Sequence, residues 1–207
     1  MKKGKKSFFC IVAICMSMCE ANARLLFGVG GLSMPQADIY TQNKENSNIT
    51  KNETLNYQGS GINIIGGGLY HFENLRGLSV RGYMSFDYLK GSGHLKTLTR
   101  IGLNADVIYD LFITSDFGIG VFVGGEAAIN SMNFLENEVA STGGFIPYAS
   151  GGFRLLALRH HSFECFIKYP MKSFTLQRTQ TIQQTTHQYL RDVKFAPIFG
   201  LRYVISL

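Results

Sequence analysis

The chain reads as all-β: a transmembrane antiparallel up-and-down β-barrel of eight strands that follows a cleaved signal peptide. Three observations carry this reading. The first residues have the layout of an export signal. The rest alternates apolar and polar residues segment after segment. The connections between segments run long, short, long, short.

The opening MKKGKKSFFCIVAICMSMCEANA places Lys2, Lys3, Lys5 and Lys6 ahead of an almost unbroken apolar run over residues 8–19, and Ala21-Asn22-Ala23 supplies a small-x-small cleavage site. That is the layout of a secretory signal. The apolar run is too short to span a bilayer as a helix, which takes ~20 residues. A lipid-bearing Cys19 is disfavoured by the bulk of Met18 before it. The chain therefore divides into residues 1–23, a signal peptide, and residues 24–207, an outer-membrane barrel.

Removing the signal changes the charge. The whole chain has 20 basic and 14 acidic residues; without Lys2, Lys3, Lys5, Lys6 and Glu20, 16 and 13 remain, a net of +3. An excess that small gives no reason to expect a nucleic-acid partner. Cys10, Cys15 and Cys19 leave as well, and Cys165 alone supports neither a disulfide framework nor a cysteine metal site.

The segments follow in order. Residues 24–33 place Leu25, Phe27 and Val29 on one side. Residues 61–72 place Ile62, Ile64, Tyr70 and Phe72 opposite Asn63 and His71. Residues 78–89 set Leu78, Val80, Met84, Phe86 and Tyr88 against Ser79, Arg81, Ser85 and Asp87. Residues 100–111 set Ile101, Leu103, Ala105, Val107, Tyr109 and Leu111 against Arg100, Asn104, Asp106 and Asp110. Residues 117–129 set Phe117, Ile119, Val121, Val123 and Ile129 against glycines, Phe122 and Glu126. Residues 148–157 and 162–169 repeat the pattern, the latter with Phe163, Cys165, Ile167 and Tyr169 opposite Glu164 and Lys168. The eighth segment, FAPIFGLRYVISL, alternates to its last residue. Period 2 is the mark of a strand, and no helical period of useful length is present.

Residues 35–58, 131–144 and 170–189 read as long loops and 90–97 as an intermediate one. Residues 73–76, 114–116 and 159–161 read as tight turns. Outer-membrane barrels alternate in this way, with short periplasmic turns and longer outer loops. In lipid only helices and closed barrels satisfy their backbone, so with no helix the expectation is a closed barrel. Its apolar side meets outer-membrane lipid. Its interior takes Arg81, Asp87, Arg100, Asp106, Asp110, Glu126, Arg154, Glu164, Lys168 and Arg202, with Gly118, Gly120, Gly124, Gly152 and Gly200 making room. A secreted β-sandwich or lipocalin-like barrel would alternate too, with the faces exchanged. The charges on the glycine-bearing face, the aromatics at segment ends and the terminal strand favour the membrane barrel. A sixteen-strand porin needs more chain, and eight strands enclose an interior that side chains fill.

The stretches RGLSVRGYMSFDYLKGSG, LTRIGLNADVIYDLF, FGIGVFVGGEAAINSM and GGFRLLALRHHSFECFIKYP, in that order, resemble the C-terminal barrel of the Helicobacter outer-membrane protein family of the Hop and Hor type, over residues 61–207. The resemblance implies an outer-membrane barrel inserted by the barrel-assembly machinery. That machinery would read the terminal strand through Phe199, Leu201, Tyr203, Ile205 and Leu207. The family commonly ends on Phe where this chain has Leu207, and its adhesive members carry a large domain ahead of the barrel.

No residue pattern points to catalysis or a cofactor. His161, Ser162 and Glu164 lie close in sequence, but His161 falls in a turn and the other two on the interior face, so they read as a turn and an interior polar pair rather than a hydrolytic set. His71, His94 and His187 lack ligand spacing, and Gly66-Gly67-Gly68 lacks the strand–turn–helix setting of a phosphate loop. The expected role is that of a non-enzymatic outer-membrane barrel whose long loops face outward, with no loop ligand specified. The alternatives are a small-solute channel and, less favoured, a lipid-acting barrel enzyme.

Overall fold

The computed structural model describes residues 23–45, 48–72, 74–93, 95–114, 116–134, 142–158, 160–182, 185–194 and 196–207. The predicted signal, apart from Ala23, lies outside the described residues, as do His94 and Phe195. The strands are β1 (Ala23–Glu45), β2 (Asn48–His71), β3 (Leu78–Gly93), β4 (Leu95–Ile113), β5 (Phe117–Phe134), β6 (Thr142–Ala157), β7 (His161–Pro170), β8 (Phe174–Ile182), β9 (Thr185–Lys194) and β10 (Ile198–Ser206). All pairings are antiparallel. No helix occurs among the described residues.

The ring consists of β1 to β7 and β10, closed by β10 pairing with β1. The seam reaches the last residue: the Leu207 N–H donates to the Leu25 carbonyl at 2.8 Å, and the Leu25 N–H donates back at 3.1 Å. One cross-strand row leaves β1 at Ala23 and passes Tyr70, Val80, Val107, Val123, Gly151, Ile167 and Phe199. It re-enters β1 at Ser33, ten residues further along. With eight strands, that stagger tilts each one by about 40° from the axis. Because the stagger is even, residues that face outward meet residues that face outward where the ring closes. An odd stagger would bring the two faces into collision at the seam.

The outer surface is apolar. Val123 is 66 % exposed and Leu103 64 %, and Leu25, Phe27, Ile62, Ile64, Met84, Ile101, Val107, Ile129, Phe153 and Leu201 are exposed with them. The run Ile101 to Leu111 on β4 has the length of a tilted spanning strand, about 9–11 residues. Tyr70, Tyr109, Phe117 and Phe163 border this belt at the tight-turn end, and Phe86, Tyr88, Phe145 and Tyr169 border it towards the other end. The same strands bury Arg100 and Asp87 at 0 % exposure. A protein in water does the reverse. Lipid outside and paired charges inside is the arrangement that satisfies both faces.

Three predicted loops are corrected. Residues 35–58 are a hairpin in which β1 and β2 continue to pair, from Ala37↔Tyr57 up to Glu45↔Asn48. Residues 90–97 are a close β3–β4 connection, and residues 170–189 hold β8 and the first half of β9. These stretches rise beyond the apolar belt, where neither sheet face must be oily. Backbone hydrogen bonds alone define the strands there, and apolar alternation does not mark them. The ten strands still make eight staves. Both β9 and β10 pair with the same edge of β1, at Asp38–Glu45 and Leu26–Ser33, so they form one line interrupted at residues 195–197. Likewise β8 pairs with β9 and β7 with β10. Pro197 has no N–H for a ladder, yet β1 keeps one register with both strands, Ser33 opposite Phe199 and Asp38 opposite Lys194; the register shift between Met34 and Ala37 lies on its other edge, against β2. Above the ring stands a four-stranded sheet in the order β2-β1-β9-β8. The turn between β6 and β7 is set by Leu158 at φ 53°, and His161 already belongs to β7.

Placing a cation in the oily belt tests the facing directly. Val123→Arg is expected to destabilise the folded barrel by ~2–4 kcal/mol, whereas Thr54→Arg, on an exposed part of β2 above the belt, changes the urea midpoint little. Equal midpoints for the two variants, refolded into lipid vesicles, would refute the assignment of faces.

Candidate functional site

The inward face of the ring is built from residues two apart on each strand. On β3 these are Ser79, Arg81, Tyr83, Ser85 and Asp87, and on β4 Arg100, Asn104, Asp106 and Asp110. Arg81 faces Asp106 directly across β3 and β4, and Asp87 faces Arg100. Arg154, Glu164 and Arg202 stand in one row over β6, β7 and β10. All ten charged side chains that the alternation assigns to the interior are buried there. Five are cations and five are anions, so the interior is neutral.

They group in layers. In the first, Arg81 Nε lies 2.7 Å from Asp106 Oδ2 and Arg81 Nη1 2.5 Å from Glu164 Oε1, while Arg202 Nε lies 2.6 Å from Glu164 Oε2. The Tyr83 hydroxyl donates to Asp106 at 3.0 Å. Two aromatic rings flank the cations: the Arg81 guanidinium is 4.5 Å from the Phe122 centroid, and that of Arg202 is 4.7 Å from Phe166. In the second layer Arg100 pairs with Asp87 and, at 3.4 Å, with Glu126. Lys168 Nζ reaches Asp87 at 3.3 Å and Glu126 at 2.9 Å. Asn63 donates to Asp87, and Arg100 sits 4.7 Å from the Tyr148 ring centroid. A third pair, Arg154 and Asp110 at 3.1 Å, lies nearer the tight turns.

Two of these layers cross the lumen. Arg81 and Asp87 stand on β3, whereas Glu164 and Lys168 stand on β7, across the ring. The bridges Arg81–Glu164 and Lys168–Asp87 therefore tie opposite walls together. Towards the long-hairpin end the inward positions turn apolar: Met34, Tyr57, Leu89, Leu95, Leu98, Ile146 and Ile198 are each at most 1 % exposed. Between the tight-turn mouth and Arg81 the side chains leave a void of about 20 Å³, room for about one water. The interior is filled, bridged and capped. Inward glycines fit the large groups: a Cβ on Gly200 would strike the Phe166 ring, and one on Gly124 would strike Asp106.

His161, Ser162 and Glu164 form no hydrolytic set. The His161 Nδ1 contacts the Tyr203 hydroxyl, the rings stacking 5.8 Å apart, while Ser162 points inward and Glu164 is held by two arginines. His160 Nδ1 lies 3.0 Å from the Ser206 carbonyl and helps to fix the last strand. His71 is hydrogen-bonded to Ser79, and Gly66–Gly68 lie within β2. Among the described residues no group of three His, Cys, Asp or Glu side chains could hold a metal. Of the residues assigned to the assembly signal, Phe199, Leu201 and Leu207 are exposed on the outer face, with Tyr203 and Ile205 half-buried beside them. Tyr83, Tyr148 and Phe166 were not singled out by sequence. Their inward parity beside charged neighbours is the signal that marks them.

No family model matches the chain, and no curated protein matches it. Solved structures similar to it include the attachment invasion locus protein Ail of Yersinia pestis (TM-score 0.40, 8 % identity, 87 % of this chain and 99 % of that one). Neisserial surface protein A is another (0.40, 12 %, 85 % and 95 %), and the outer-membrane protein OprG of Pseudomonas aeruginosa a third (0.45, 10 %, 91 % and 97 %). The architecture assigned here rests on the register of this chain's own strands.

Removing one partner of a lumen-crossing bridge strands a buried charge. Arg81→Met leaves Glu164 with Arg202 alone and is expected to cost about 3–5 kcal/mol, read as a lower urea midpoint and a lower temperature for loss of the compact band on unheated gels. A midpoint within error of wild type would mean that the bridge does not form.

Proposed function

We propose that this chain is an integral outer-membrane β-barrel with no catalytic role, closed to solutes, which presents the sheet β2-β1-β9-β8 at the cell surface. One observation carries the reading: a ring that wears an oily belt on its outer face while five cations and five anions pair inside it. Such a body is stable in a bilayer and has no stable place in water. The tight turns then lie on the periplasmic side and the raised hairpins outside. The export signal read in residues 1–23 and the motif order shared with the Helicobacter Hop and Hor barrels support the same location.

Closure follows from the two bridges between β3 and β7 and the apolar layer above them. A conducting path would have to break Arg81–Glu164 and Lys168–Asp87 together, leaving charges unpaired. What the molecule offers to the outside is the raised sheet, rich in Gln, Thr and Asn over residues 174–194 and 42–56.

Two measurements test this. In planar bilayers the purified protein is expected to give no stable unitary conductance steps; reproducible steps would replace the closed barrel with a channel. On intact cells expressing it, trypsin is expected to cut at Lys51, Arg178 or Arg191 and leave a protected barrel fragment. Complete protection on intact cells, with cleavage only after lysis, would invert the orientation.

A further inference from the structure

At the tight-turn mouth interior charge meets open space. A cavity of about 310 Å³ opens there, with Arg24, His71, Asp110 and Arg154 in its wall and Leu78 and Phe117 among its apolar lining. Its volume is at the lower end of the ~300–1,000 Å³ typical of small-molecule sites.

The charges at this mouth differ from those deeper in the barrel. Arg81, Arg100 and Lys168 each meet two carboxylates, and Arg202 meets one together with the Tyr83 hydroxyl and two further aromatic rings. Among the described residues Arg154 pairs with Asp110 alone. That pair is poorly made: Nε and Oδ1 are 3.1 Å apart, yet neither atom forms a hydrogen bond. Both side chains are more than nine-tenths buried, Arg154 at 3 % and Asp110 at 8 % exposure. The surroundings hold the misfit in place. The Asp110 N–H donates to the Gly77 carbonyl at 2.8 Å, and Gly77 sits at φ +83°. Gly120 pairs with both Asp110 and Arg154 in register, and a Cβ there would run into both side chains. His71 is fixed by Ser79 at 2.7 Å. The wall thus sets a buried, poorly paired guanidinium into an otherwise oily lining.

We propose that this mouth binds a small amphipathic carboxylate. Its carboxylate would lie on Arg154, and its apolar body against Leu78 and Phe117. A guanidinium presents a fork that fits a carboxylate with two parallel hydrogen bonds, and the misaligned Asp110 leaves that geometry unused. The site is separate from the raised sheet and does not depend on what the sheet meets.

The full barrel, refolded in zwitterionic micelles, is titrated with 3-phenylpropionate and, in parallel, with its neutral counterpart 3-phenylpropanol, following the backbone amides of Gly77, Ser79, Thr114 and Phe117 by NMR. The acid is expected to give saturable shifts at these amides. The alcohol and the Arg154→Gln variant are expected to bind about tenfold or more weakly, the loss of a charge-assisted hydrogen bond. Asp110→Asn removes the competing carboxylate and is expected to bind the acid more tightly, which keeps the test valid should Arg154→Gln fail to fold. Equal response to acid and alcohol, shifts that do not saturate, or an Asp110→Asn variant that binds no better would each overturn the proposal.

Discussion

Everything in this molecule depends on the closure of one ring of backbone hydrogen bonds. A sheet in lipid cannot leave an edge, because each unpaired N–H or C=O there costs several kcal/mol. This chain meets the requirement with its last residue, whose N–H and C=O both bond to Leu25. The ten-residue stagger around the ring sets the tilt of the strands. Its even value keeps every outward side chain outward through the seam. Closure and the separation of oil from charge are therefore one constraint seen twice.

Once the ring closes, the interior becomes a confined space into which ten charged side chains are carried. Each alone would be costly to desolvate. They are tolerable because opposite signs fall opposite one another, first across adjacent strands, as with Arg81 and Asp106, and then across the lumen, as with Lys168 and Asp87. The cross-lumen contacts make β3 and β7 struts for each other. Phe122, Phe166 and Tyr83 lie among the guanidinium groups, where a ring face both fills volume and favours a cation. The same filling that stabilises the barrel is what supports the proposal of a closed barrel.

The two ends of the cylinder differ in kind. At the long-hairpin end the interior finishes in an apolar layer, and the strands carry on as a sheet held by backbone pairing. At the tight-turn end the last ion pair is imperfect and opens on a cavity. The packing stops at both ends, and the belt between them is fixed by lipid on one side and ion pairing on the other.

The alternation of Leu103, Ala105 and Val107 with Asn104 and Asp106 was by itself enough to assign the spanning strands and their faces. A strand between oil and charge must take residues of two kinds at every second position. The same parity placed all ten interior charges. It was silent above the belt, at residues 37–57 and 174–194, because strands there can be polar on both faces and look like loops. Partnership across the lumen was equally illegible. Arg81 and Glu164 lie far apart in the chain, and only the tilt and stagger of the closed ring bring β3 and β7 face to face. Local sequence thus determined which side of the wall each residue occupies. The geometry of closure decided which residues meet, because contact across a barrel depends on its circumference and shear, which no single strand encodes.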